Sequence, residues 1–172
     1  VLQPGTAIYD THEQRFKMWY NTQPDSQNPN VEEFLCYATS TDGIRWEKPD
    51  LNLVEYKGSK ANNICLEGVN WTHCVICDEA DPDPQRRYKL AYWSRAGVGD
   101  SGIYVAFSPD GIRWENDANN PVVPHWASGD TFSVMRDPMT GQYLLYHKTP
   151  GGPIRKVSRM VSDDFIRWRD SR

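Results

Sequence analysis

Short runs of apolar, β-branched and aromatic residues recur along the chain, and their length and composition predict strands. Phe34-Leu35-Cys36-Tyr37-Ala38-Thr39, Ile103-Tyr104-Val105-Ala106-Phe107 and Val157 to Val161 each run into the same polar phrase. Its copies are Ser40-Thr41-Asp42-Gly43-Ile44-Arg45-Trp46, Ser108-Pro109-Asp110-Gly111-Ile112-Arg113-Trp114 and Ser162-Asp163-Asp164-Phe165-Ile166-Arg167-Trp168. Asp-Gly predicts a tight turn, because Gly accepts positive φ and Asp bonds its own backbone. Ile-Arg-Trp is then expected to begin the returning strand. The third copy carries Phe165 in place of Gly, which predicts a different turn type there.

A second phrase precedes each copy: an Asp, a short polar gap, then an aromatic-rich strand. It reads Asp10 to Tyr20, Asp78 to Trp93 and Asp137 to Tyr146. One more short strand lies ahead of each Asp, at Thr6 to Tyr9, His73 to Cys77 and Thr131 to Met135. The unit is strand, turn, strand, loop, strand, Asp-Gly turn, strand. Four antiparallel strands in about sixty residues predict a propeller blade. The expected blades span about 1–66, 67–126 and 127–172, the last incomplete, within a single partial domain. Propellers close with about four to eight blades. The chain starts at Val1 in mid-motif and stops at Arg172 just after the third Trp, so a fragment of a longer protein is expected. The alternative is self-association that closes an open ring.

Residues that recur in every blade are expected to serve the blade. Asp10, Asp78 and Asp137 are expected to cap the turn between the first two strands, and Asp42, Asp110 and Asp164 to shape the second turn. Trp46, Trp114, Trp168, Trp19, Tyr20, Tyr92, Trp93 and Tyr146 are expected in the core. Arg45, Arg113 and Arg167 are expected to face solvent or to pair with an Asp of their own blade.

The formal net charge is −4, with 19 Lys and Arg against 23 Asp and Glu and no basic run, which argues against nucleic acid. No apolar stretch approaches the ~20 residues a membrane span needs. Cys36, Cys65, Cys74 and Cys77 read as free thiols; Cys74 and Cys77 would point to opposite faces of a strand, which rules out chelation there. Asn70-Trp71-Thr72 fits the glycosylation pattern of secreted eukaryotic proteins. Gly151-Gly152-Pro153 has no following helix and is no phosphate loop.

Ser-x-Asp-Gly-Ile-x-Trp closing a strand, with Asp and Tyr-x-Leu-x-Tyr before it, resembles the five-bladed propellers of the glycoside hydrolase 32, 43 and 68 superfamily. The resemblance covers all 172 residues as repeat architecture. It implies an all-β, five-bladed propeller of the glycosidase type, of which about two and two-thirds four-stranded blades are present. It implies a funnel at the axis, lined by carboxylates at the starts of innermost strands, and a saccharide as partner. It slightly favours a secreted or periplasmic location. No cofactor is expected, and a cation on the axis is left open. The chemistry needs two carboxyl groups flanking a glycosidic bond, one of them protonated.

Arg136-Asp137-Pro138 matches a tripeptide of the invertase-like branch, but Asp137 aligns with Asp10 and Asp78 and is expected to be structural. The informative positions are those that do not repeat. Gln3, Trp71 and Asp130 occupy one position relative to Asp10, Asp78 and Asp137, at the mouth of each innermost strand. The resemblance places an active-site Asp there, so Asp130 is the candidate catalytic carboxylate. Gln3 stands where the resemblance expects a nucleophile or base, a role Gln cannot fill. The general acid is expected about one blade beyond Asp130, past Arg172, so the chain alone is expected to be inactive. Trp71, His73, His125, Trp126 and Glu67 are candidates for saccharide contact, because sugar C–H faces stack on aromatic rings. For Trp71 and Trp126 the competing expectation is packing between blades. Glu67 is expected in the loop feeding the second blade. Two functions remain: hydrolysis or transfer at a glycosidic bond, or a non-catalytic propeller that binds glycan or protein.

Overall fold

The apolar runs form strands, and the chain is all-β apart from one 3-10 turn at Pro84–Arg86. The computed structural model describes residues 5–22, 33–95, 100–149, 154 and 156–171. Gln3, Gly151-Gly152-Pro153 and most of the polar stretch after Thr22 lie outside the described residues. Chain contacts divide it into two units, Val1–Val69 and Asn70–Arg172.

The first unit is one antiparallel sheet, β1 (Thr6–Asp10), β2 (Arg15–Thr22), β3 (Phe34–Ser40) and β4 (Ile64–Glu67), hydrogen-bonded in that order. Strand β3 is buried along its whole length, which is why it reads as a continuous apolar run rather than an alternation. One face packs Tyr20, Phe34, Cys36, Ala38 and Ile64 against Met18, Trp46, Val54 and Tyr56. Trp19 and Tyr37 pair 5.6 Å apart.

The second unit holds two sheets. One is β5 (Asn70–Cys77), β6 (Tyr88–Arg95), β7 (Ser101–Ser108) and β8 (Glu115–Asn116), with β9 (Val123–Pro124) also pairing β7. The other is β10 (Phe132–Arg136), β11 (Tyr143–Lys148), β12 (Val157–Ser162) and β13 (Arg169–Asp170). Their first strands, β5 and β10, pack against each other. The core between the sheets joins Ala91, Trp93, Ile103 and Val105 to Phe132, Val134, Tyr143, Leu145, Met160 and Phe165. All four cysteines are free thiols. No helix among the described residues is long and apolar enough to cross a membrane.

The repeated turn is built identically three times. In the second copy the Ser108 hydroxyl accepts the Gly111 amide at 2.9 Å, while Asp110 accepts the amides of Ile112 and Arg113 at 2.8 Å. The third copy departs from expectation. Phe165 adopts φ 69°, close to Gly43 at 73° and Gly111 at 77°, and Ser162 and Asp164 make the same bonds. The left-handed conformation costs a non-glycine residue about 1–2 kcal/mol. The Phe165 ring is fully buried, 5.0 Å from Tyr143 and 5.7 Å from Trp168, and this packing offsets the strain.

Three further expectations are corrected. Ile-Arg-Trp does not begin the returning strand: the Asp side chain has taken the first two amides, so the outer strand forms only at β8 and β13, after each Trp. Trp46, Trp114 and Trp168 are half-buried rather than enclosed. Tyr146 lies opposite Ser133 and Arg159 on the outward face of the third sheet and is exposed.

Candidate functional site

Asp130 is positioned by backbone pairing that outlasts the strand. Phe132 faces His147 across β10 and β11. Beyond it, the Lys148 amide donates to the Thr131 carbonyl at 2.9 Å, and the Gly129 amide donates to the Lys148 carbonyl at 2.7 Å. Residues 129–131 are thus zipped onto the end of β11. A Cβ on Gly129 would lie 2.9 Å from the Lys148 carbonyl oxygen and 2.5 Å from its Cε, so this close approach requires glycine. The Lys148 ammonium donates to Asp130 Oδ1, to which the Thr131 hydroxyl also donates, more weakly, at 3.4 Å. Both charged side chains keep contact with solvent, 27% for Asp130 and 33% for Lys148.

The entry to β5 is shaped by a bulge: Asn70 pairs with Trp93 and His73 with Tyr92, leaving Trp71 and Thr72 over. Trp71 takes φ 53°. Its ring packs against the core cluster that contains Phe132, and the Arg95 guanidinium covers it 4.0 Å from the centroid. The Asn70 side chain accepts the Arg95 amide at 2.9 Å, which fixes that end of β6. Trp71 is thus half-buried, packed on the core on one side and under the Arg95 guanidinium. His73 is buried. β5 and β10 pack side by side, with the Cys74 thiol 3.9 Å from the Phe132 carbonyl at the start of β10.

The remaining candidates are dispersed. His125 is exposed and donates its amide to the Ser101 carbonyl at 2.9 Å. Trp126 is 72% exposed, which overturns the expectation of packing between blades. Glu67 is not in a loop: it ends β4, opposite Phe34, on the outermost strand of the first sheet.

The recurring acids do cap turns. Asp10 accepts the amides of His12 and Glu13 at 3.0 Å, and Asp137 accepts the Met139 amide at 2.9 Å and the Thr140 hydroxyl at 2.7 Å. The Thr140 hydroxyl and the Met139 amide hold the Asp137 carboxyl below its ordinary range. Asp78 accepts the Ala80 amide at 3.2 Å and does more. It is buried beside the fully buried Lys89 ammonium at 3.6 Å and Arg136 Nε at 3.5 Å, and it accepts the Tyr143 hydroxyl. Lys89 also meets Asp81 at 2.7 Å. Burial, then the Asp78 carboxylate, pushes the Tyr143 hydroxyl well up. Burial works against the Asp81 charge, but the Lys89 bond, the Asp83 amide and the nearby cations outweigh it, and its pKa falls. Arg136-Asp137-Pro138 is thus a structural tripeptide, one residue bracing Asp78 and the next capping its own turn.

The sequence reading missed Lys148, Arg95 and the buried lysines. The signal for Lys148 was present: counted along the second strand, Asn21, Trp93 and Lys148 share one position, and the cation stands alone there, as Asp130 does at its own. Two hollows lie elsewhere, beside repeat tryptophans. One of about 550 Å³ is lined by Arg86, Phe107, Arg113, Trp114 and Glu115 among others, and one of about 290 Å³ by Asp163, Asp164, Arg167, Trp168 and Arg169. No cluster of three metal-binding side chains occurs among the described residues.

No protein-family model matches the chain. A curated relative, the uncharacterized protein MT1551 of Mycobacterium tuberculosis, is 29% identical over 101 residues, 58% of this chain and 29% of that protein. Among solved structures, the fructofuranosidase of Schwanniomyces occidentalis complexed with fructose superposes with a TM-score of 0.72 at 15% identity, over 98% of this chain and 33% of that one. The GH32 β-fructofuranosidase BmSUC1 of Bombyx mori gives 0.68 at 15% identity, over 98% and 34%. An N-acetylgalactosamine deacetylase from F. plautii, in complex with blood group B trisaccharide, gives 0.66 at 11%, over 98% and 51%. The likeness is one of fold: the chain has an all-β propeller fold of the five-bladed type that these fructofuranosidases also have. The chain spans about a third of the length of the fructofuranosidases it matches.

Proposed function

We propose that this chain is the segment of a glycosidase-type propeller that contributes one carboxylate, Asp130, to a saccharide site. The observation that carries the reading is Asp130 itself: a non-repeating, solvent-reaching acid at the entry of an innermost strand, in a fold shared with fructofuranosidases. In hydrolysis or transfer at a glycosidic bond, an ion-paired carboxylate accepts sugar hydroxyls and stabilises positive charge at the reacting carbon. The proton donor is then a different residue. Trp126 and His125, exposed and shortly before Asp130, supply apolar and polar contact to the sugar, while Trp71 acts through Arg95. Binding of fructose and of blood group B trisaccharide by calorimetry, with hydrolysis assayed in parallel, tests the reading. Asp130→Asn is expected to weaken binding about tenfold or more, the scale of one charged hydrogen bond. Unchanged binding would remove Asp130 from the site.

The second reading, a propeller that binds glycan or protein without catalysis, draws on the partners of Asp130. Among the described residues they are an ammonium and a hydroxyl, Lys148 and Thr131. Binding without turnover would select it. Self-association is the alternative to a longer propeller, with a second copy covering the face that exposes Met135 and Tyr146. Light scattering at a multiple of 19.8 kDa would select it, and a monomer at every concentration would select the longer propeller instead.

A further inference from the structure

We propose that Lys148 is a positioning and recognition residue of the Asp130 site, and that the pair reads two adjacent hydroxyls of a sugar. The inference rests on the saccharide reading above and adds the feature recognised and the residue that fixes it.

Asp130 and Lys148 both hold unused bonding capacity. A carboxylate has two acceptor oxygens and an ammonium three donors. Asp130 Oδ1 takes both bonds recorded for this side chain, from Lys148 and Thr131, so Oδ2 is left as an acceptor among the described residues. Lys148 has Asp130 as its only recorded side-chain partner there, so two of its N–H donors remain. Both groups reach solvent. The site therefore presents a free acceptor beside a free donor at hydrogen-bond spacing. Neighbouring hydroxyls on a sugar ring are the complementary ligand: one donates to Oδ2 and the other accepts from Nζ.

Fixing that geometry is the second half of the assignment. A surface Asp–Lys pair is worth little for stability, because two flexible side chains lose entropy to meet. Here much of that cost is already met by the backbone. The Gly129 and Lys148 amides zip the Asp130 segment to β11, and the absent Cβ at Gly129 lets the Lys148 stem lie against it. The ammonium then holds the carboxylate in one orientation, which is pre-organisation for binding rather than for folding.

The test uses Lys148→Met, which keeps the length and removes the charge, and Lys148→Arg, which keeps the charge. Two quantities are read. The first is the carboxyl carbon signal of Asp130 in protein labelled with ¹³C-aspartate, assigned through Asp130→Asn. It is expected to move in Lys148→Met and to return most of the way in Lys148→Arg, with the thermal midpoint nearly unchanged in both. The second is the affinity for fructose and for blood group B trisaccharide. Lys148→Met is expected to lose about tenfold or more, and Lys148→Arg to recover part of it. An Asp130 signal that does not move in Lys148→Met overturns the assignment, as does wild-type affinity in that variant. If wild-type protein binds neither sugar, the saccharide reading fails by itself, and the carboxyl signal alone decides whether Lys148 positions Asp130.

Discussion

Phe165 shows how one residue can break the rule of its repeat and keep the structure. At φ 69° it occupies the place of Gly43 and Gly111, with its ring in the core between two sheets. Truncating a buried Phe costs about 3–5 kcal/mol, and relieving a left-handed non-glycine residue returns about 1–2 kcal/mol. Phe165→Gly is therefore expected to destabilise by about 1–4 kcal/mol in urea unfolding. A neutral or stabilising result would mean that the ring contributes nothing. The sequence alone could not separate these terms, because Phe in place of Gly reads locally as a different turn, and its compensation comes from Tyr143 and Trp168 packing around it. Asp130 stands out in the sequence because it departs from the repeat, and its role in a site is the proposal made above. Lys148 departs in the same way and became evident only when the strand register placed it beside Asp130. Glu67 failed for the opposite reason: the polar phrase around it hid a short outer strand.

At the scale of the element, the strands were legible from their apolar runs, and the boundaries of the returning strands were not. Asp42, Asp110 and Asp164 each capture two backbone amides, and amides so captured cannot join a ladder. The pairing of blade to blade was also hidden. Lys89 reads as an ordinary strand lysine, yet it is fully buried, bonded to Asp81 and close to Asp78, whose carboxylate meets Tyr143 and Arg136 of the third sheet. Removing one partner of a buried charge cluster costs about 3–5 kcal/mol, because the remaining charges stay desolvated. Lys89→Met is expected to lose about that much in chemical denaturation. A loss below about 1 kcal/mol would place the cluster with surface pairs instead.

For the whole molecule, the same carboxylates set its response to acid. Asp42, held chiefly by the Arg45 and Ile44 amides, lies below its ordinary range, and so do Asp110 and Asp164, where burial opposes the shift and the backbone amides outweigh it. Asp81 behaves likewise through Lys89. A carboxyl whose folded pKa is depressed contributes stability that is complete above its unfolded value, about 4, and is lost as pH falls through the folded value. The urea midpoint is therefore expected to stay level from about pH 7 to 5 and to decline below about pH 4. A midpoint that holds to about pH 2 would contradict the turn bonds as sources of stability.

If ligand is taken at the entry of the innermost strands, amide shifts on addition of fructose or blood group B trisaccharide will map to that entry. The account predicts shifts concentrated at Gly129, Asp130, Thr131 and Lys148, extending to Trp126 and Arg95. Shifts centred instead on Trp114 and Trp168, beside the outer hollows, would contradict it.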